Sequence, residues 1–307
     1  MRRDFAETGM SQAQIERIEL DELTCWRVRL GGAELLVAQQ GAQVLRYQRG
    51  EQPLIWLSEQ AAGQRGQSVR GGVPVCWPWF GDLGRNPPAL QVQHGNLGAA
   101  PFHGGVRTLD WQLLDIASEG EAVQLRFACD SREQPLDNWP HAARVQLDIR
   151  LDEHLHLDLS SHNLGTAPLA LSQALHSYFA VSDIRQVAVR GLENCRYIET
   201  LEDWQERTQQ GQLRFAGETD RIYLDVPTRL SIEDSGWRRR IHLDARGSRS
   251  AVVWNPWTDK AARLSQFAGD AWQRMLCIET ANVWDDCVEL APGAQHSLQL
   301  SLSEERL

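Results

Sequence analysis

Five side-chain groups in this 307-residue chain have chemistry to offer, and each stands out against its own surroundings. The first is His176. Across 169–181, apolar Leu169, Leu171, Leu175, Phe179 and Val181 alternate with Ala170, Ser172, Ala174, His176, Tyr178 and Ala180. Four of those last six residues are very small, so a strand here leaves room beside one imidazole. The arrangement reads either as the floor of a pocket or as a histidine hydrogen-bonded within a sheet. The second is Glu279, inside Met275-Leu276-Cys277-Ile278-Glu279-Thr280. A carboxylate in such a strand needs a partner or a raised pKa. A carboxyl shifted toward neutrality suits a general base, and an arginine partner would instead make it structural.

The third group is Arg70, which opens Arg70-Gly71-Gly72-Val73-Pro74-Val75-Cys76-Trp77-Pro78-Trp79-Phe80-Gly81. The glycines permit positive φ or close approach, and the prolines remove ladder donors, so a stiff aromatic loop is expected rather than a regular central strand. It presents a fixed cation suited to carboxylate or phosphate, or it caps the end of a β-sandwich. The fourth is His103-Gly104-Gly105-Val106-Arg107, a second imidazole and a second cation on a flexible approach. The fifth is Asp220, at a strand entrance where a carboxylate can accept hydroxyl hydrogen bonds or serve as a turn residue. His154 and His156 lie two apart, as metal ligands can. Their face also carries Arg144, Gln146, Asp148, Arg150 and Asp158, a solvated pattern, and no helix-borne His pair occurs. No metal and no cofactor are expected. The corner Val253-Trp254-Asn255-Pro256-Trp257 and the excess of Trp (12) over Tyr (4) suit either sugar stacking or a large core.

Strands must position these groups. Residues 144–151 and 154–160 alternate polar and apolar around Asp152-Glu153, a hairpin with one solvated face. Similar runs recur at 25–30, 34–38, 43–47, 111–116, 123–128, 222–226, 229–233, 240–244, 250–254, 274–280 and 297–302. Helical periodicity is confined to 201–210 and 259–267. Many short strands with frequent turn signals predict a sandwich or barrel. A hydrophobic content of 42% supplies a large core. One domain is expected over 15–307, after a loose leader at 1–14. The net charge of −10 argues against nucleic acid, and any anionic substrate would need a local arginine cluster. The six scattered cysteines form no CxxC pair and read as neutral thiols of a reducing compartment. Two arginines near Met1 precede no apolar run, so no signal peptide is expected, and no run is long enough to span a membrane. A cytoplasmic monomer or weak oligomer follows as the expectation.

Six segments in order, RGGVPVCWPWFG (70–81), HGGVR with Trp111 (103–111), LSQALHSYF (171–179), TDRIY (219–223), VVWNPW (252–257) and CIETANV (277–283), resemble the aldose 1-epimerase (galactose mutarotase-like) superfamily, in particular its glucose-6-phosphate 1-epimerase branch. The resemblance spans roughly residues 30–300. It implies an all-β fold, a large twisted antiparallel β-sandwich with few short helices, and cofactor-free interconversion of the α and β anomers of a hexose 6-phosphate. By motif, His176 corresponds to the general acid and Glu279 to the general base. His103 and Asp220 match substrate-orienting positions, and Arg70 and Arg107 stand near the sugar with one or both on its phosphate. The branch usually carries an aromatic after His-Gly, where this chain has Gly105 and Val106. His94-Gly95, in the distinctive loop 85–101, is a rival for that match. The alternatives are a sugar or sugar-phosphate binding protein without catalysis and a mutarotase of an unphosphorylated hexose.

Overall fold

Alternating strands that each bury one face must stack in layers, and the layers here are two large sheets. The computed structural model describes residues 13–307. The expected leader at 1–14 lies almost wholly outside the described residues, and the first strand, Gln14–Leu20, begins at its last position. A 13-stranded antiparallel sheet runs from Gln14–Leu20 through Leu23–Leu30, Ala33–Ala38, Val44–Arg49 and Pro53–Ile55. It continues through Tyr178–Ala180, Met275–Asn282, Ser250–Asn255, Thr219–Leu224, Arg196–Glu199 and Gln205–Thr208, while Gln173–Leu175 pairs with Met275–Asn282 and with Val75–Cys76 off this path. A nine-stranded sheet carries the hairpin Ala143–Leu151/Leu155–Asn163 flanked by Ala122–Asp130 and Gln295–Arg306. The core lies between the sheets, where Trp26 of one meets Phe127 of the other edge-on at 5.5 Å. Burial of each such Leu, Val or Phe contributes about 1.5–3 kcal/mol. Helices are short, Trp257–Ala261 being one of them, and among the described residues none is long and apolar enough to cross a membrane.

Two local expectations change. Segment 169–181 is three short strands, Leu169–Leu171, Gln173–Leu175 and Tyr178–Ala180. The ladder lapses at His176 because its N–H donates instead to the Pro74 carbonyl at 2.9 Å. The helix expected at 201–210 is a turn followed by the strand Gln205–Thr208, which pairs with Arg196–Glu199. Neighbouring-strand pairing outweighs helical propensity there.

The 70–81 segment divides between its two readings. Trp77 and Trp79 are buried scaffold, with Trp77 donating to Ser161 Oγ at 3.0 Å and Trp79 to the Pro101 carbonyl at 2.8 Å. Ser161 passes its hydrogen bond to Gln173, and Gln173 to Asn282, so a buried polar chain braces the loop against both sheets. Gly72, at φ +72, lies so close to the Val44 carbonyl that a Cβ would sit 2.3 Å from its oxygen. Only Arg70, Pro74, Phe80 and Gly81 of this segment reach the cavity described next.

Candidate active site

Strand register brings the two isolated ionisable groups together. Leu175 faces Thr280 and Tyr178 faces Cys277, so His176 stands directly across from Glu279. Glu279 in turn faces Val252, and Val252 faces Ile222, giving one row across four strands. The adjacent row on the same face is Tyr178, Cys277, Trp254 and Asp220. Residues of opposite parity, including Leu175, Phe179, Leu276 and Ile278, point into the main core. These rows form the floor of a cavity of about 850 Å³.

His176 Nε2 lies 3.3 Å from Glu279 Oε1, and both side chains are buried. His176 Nδ1 and Glu279 Oε2 have no hydrogen-bond partner. Buried polar atoms are expensive to leave unpaired, and in this cavity both are open to a ligand. Burial is the leading cause that pushes the Glu279 carboxyl well above its ordinary range, reinforced by Asp220 and opposed by Arg107. Burial also holds His176 down to about 3, helped by Arg107 and Arg70. The substrate-free pair is therefore neutral, with its shared proton on Glu279. The imidazole stacks on Tyr178, ring centroids 4.9 Å apart and nearly parallel.

His103 completes the wall, 5.2 Å from the His176 ring. It has φ +67, its N–H donates to the Gly81 carbonyl, and its Nδ1 accepts the Gly81 N–H at 3.1 Å. An accepting Nδ1 in a neutral ring leaves Nε2–H as a donor. Burial, then His176, Arg107 and Arg70, keep that ring neutral by lowering its pKa well below 6.5. Gly104 must be glycine: φ is +80 and a Cβ would sit 2.0 Å from the Trp77 carbonyl oxygen. The rival His94 packs edge-on against Trp79, is absent from the cavity lining and accepts the Asn96 N–H.

Arg70 and Arg107 both line the cavity, and neither pairs with a carboxylate among the described residues. Arg70 donates to the Tyr178 hydroxyl at 3.4 Å, and the Arg107 Nε is buried without a partner. Asp220 lines the cavity too, with Lys260 Nζ 3.7 Å from its Oδ2 and 3.3 Å from Glu218 Oε1. Burial raises the Asp220 carboxyl, and Lys260 opposes that rise. All six sequence-derived site residues thus reach one cavity. A family model described as aldose 1-epimerase matches residues 25–303.

The chain belongs to the aldose 1-epimerase family. Relatives named "Putative glucose-6-phosphate 1-epimerase" include one from Escherichia coli K12, 32% identical over 269 residues, spanning 87% of this chain and 86% of that one. Another, from Cenchrus ciliaris, is 32% identical over 276 residues, spanning 86% of this chain and 79% of that one. Among solved structures, a "putative mutarotase" from Salmonella typhimurium aligns with a TM-score of 0.86 at 28% identity, covering 95% of this chain and 94% of that one. A galactose mutarotase-like protein from Clostridium acetobutylicum, at 15% identity and a TM-score of 0.69, shares the fold, covering 96% of this chain and 99% of that one. The protein is an isomerase of this epimerase family, acting on sugar anomers.

Sequence reasoning passed over Tyr178 and the contact of Lys260 with Asp220. Tyr178 was within reach, since it lies two residues beyond His176 on the same strand face. Lys260 was not, because its contact depends on where Trp257–Ala261 docks.

Proposed function

We propose that this epimerase interconverts the α and β anomers of a hexose 6-phosphate, glucose 6-phosphate foremost, with Glu279 and His176 as its acid–base pair. Opening the hemiacetal requires removal of the C1 hydroxyl proton and delivery of a proton to the ring oxygen. Glu279 as carboxylate takes the first, and protonated His176 gives the second. Rotation about C1–C2 exposes the other face of the aldehyde. Closure then returns a proton from Glu279 to O1 while His176 recovers its own from O5, so no net proton is gained or lost. The neutral resting pair and the charged working pair hold the same number of protons. One transfer across the 3.3 Å contact interconverts them. Each positioned proton transfer is worth about 10²–10⁴-fold.

The observation that carries the reading is this buried, cross-strand His176–Glu279 contact in a cavity whose three carboxylate-free arginines, Arg70, Arg85 and Arg107, suit an anion. Arg70 and Arg107 supply the fork donors that a phosphate accepts. The Nε2–H of His103 and the Asp220 carboxylate suit sugar oxygens and hydroxyls. The test is two-dimensional NMR exchange spectroscopy on glucose 6-phosphate and on free glucose. Faster anomer exchange of the phosphate, with a lower KM than the free sugar, is expected. Equal efficiency on both would overturn the phosphate assignment and leave a mutarotase of free hexoses.

A further inference from the structure

The hairpin tip that the sequence presents as plain solvated surface gathers more than its alternation shows. His154 and His156, two apart, project from one face, and Asp152 folds back from the turn so that its Oδ1 accepts the His154 N–H at 2.9 Å. One donor atom from each of Asp152, His154 and His156 lies within 4.8 Å of the others. His156 Nε2 is 3.1 Å from Asp152 Oδ1, close to the edge between two ligands of an ion bound at about 2.0–2.1 Å. The other nitrogen of that ring, Nδ1, lies 2.8 Å from Ser301 Oγ on the adjacent strand. An outer hydrogen bond of this kind fixes ring orientation and turns the opposite lone pair toward a metal. Arg150 Nε holds the second Asp152 oxygen at 3.0 Å and leaves Oδ1 facing the imidazoles. Glu119, Glu121 and Glu153 line the same depression, so with Asp152 four carboxylates outnumber two guanidiniums, those of Arg150 and of Arg49, which donates to the Asp152 carbonyl, and the local field favours a cation.

We propose that Asp152, His154 and His156 form a site for a divalent first-row transition-metal ion, zinc above all, remote from the epimerase cavity. Two imidazoles and a carboxylate form a borderline-soft donor set suited to zinc, nickel or copper rather than calcium or magnesium. The ion would clamp the hairpin tip and leave a position for water. Asp152 is the ligand that alternation alone cannot reveal, because it sits in the turn.

Calorimetric titration of Zn²⁺ into the full chain at neutral pH tests this. One equivalent is expected to bind. His154→Ala and His156→Ala should each weaken binding by at least about tenfold, and Ser301→Ala by a smaller factor. Anomer exchange should be unchanged in His154→Ala, which separates this site from the proposed activity. The wild type taking up no zinc, or the double His154→Ala/His156→Ala variant binding as tightly as the wild type, would overturn the proposal. So would loss of binding in His176→Asn with retention in the double variant, since the ion would then sit among His176, Cys277 and Glu279.

Discussion

Both large sheets expose a face studded with ionisable groups, and the two faces use them in opposite ways. On the nine-stranded sheet, register sets several charges directly across from a partner of opposite sign. Arg126 faces Asp148 and pairs with it at 2.5 Å, and Glu233 faces Arg240 at 2.6 Å. Asp158, which faces Asp148 and so meets a like charge, is satisfied by Ser297 and Gln299 instead. On the 13-stranded sheet the same cross-strand geometry sets His176 against Glu279, under cover and with their outer atoms unpartnered. Arg70 and Arg107 stand over them without carboxylates. Burial makes the difference: exposed pairs are screened and nearly neutral in energy, whereas buried unpaired groups are held ready at the expense of stability. Alternation builds both faces, and the loops at 70–81 and 103–107 turn one of them into a cavity.

The largest effect that would break this contrast comes from the pair itself. Glu279→Gln and His176→Asn are each expected to lower the exchange rate of glucose 6-phosphate anomers by about 10²–10⁴-fold with circular dichroism unchanged. Near-wild-type exchange in either would place the chemistry elsewhere. The arginines come next. Arg107→Ala or Arg70→Ala should raise KM for the phosphorylated sugar by roughly 10–100-fold, the loss of a charge-assisted hydrogen bond, and change kcat less. Saturation kinetics decides, and an unmoved KM in both variants sinks the anion site.

How much of this was legible in the sequence differs between the two faces. The solvated hairpin could be read residue by residue, because 144–160 state their period outright. His176 and Glu279 could each be singled out, because each is the odd residue in its own strand. Their contact could not. It follows from a register set by Gln173–Leu175 and Tyr178–Ala180 on Met275–Asn282, and alternation within a single strand carries no register. The aromatic loop was legible only as an ambiguity. It resolved by residue, Trp77 and Trp79 into scaffold and Arg70 into the cavity, because burial depends on what lies opposite. The strand Gln205–Thr208 was misread as helix, its side chains all exposed and without apolar period.

Smaller effects sharpen the comparison through stability. Gly104→Ala drives a methyl into the Trp77 carbonyl at positive φ, so roughly 1–3 kcal/mol of stability should be lost, read from denaturant midpoints. Exchange should fall as well, because His103 is displaced; a fully active, fully stable variant would show that the close approach constrains nothing. pH separates the two members of the pair. The unfolded imidazole binds a proton below about 6.5, while folded His176 stays neutral down to about 3. The unfolded state therefore binds more protons in that window, and stability falls with falling pH by at most about 1.4 kcal/mol per unit. Raised Glu279 acts in the opposite direction, its contribution being complete below about 4.5 and lost as pH rises. His176→Asn should flatten the acid-side slope, and Glu279→Gln should flatten the loss on the alkaline side. Equal slopes in wild type and variants would show that the pair is not held neutral.

The smallest effect belongs to the other sheet, and its smallness is the point. Asp148 accepts from Arg126, Gln124 and Gln146 at once, a denser set of hydrogen bonds than Glu279 has. Counting bonds would rank it the more important carboxylate. Exposure reverses that ranking: Arg126 is 40% exposed, so water replaces what the ion pair loses, and such pairs contribute about 0–1 kcal/mol. Asp148→Asn should shift the denaturant midpoint by no more than that and leave anomer exchange at the wild-type rate. A large loss of exchange on this substitution, in a protein that stays folded, would couple the nine-stranded face to the cavity through the core and undo the separation of roles between the two sheets.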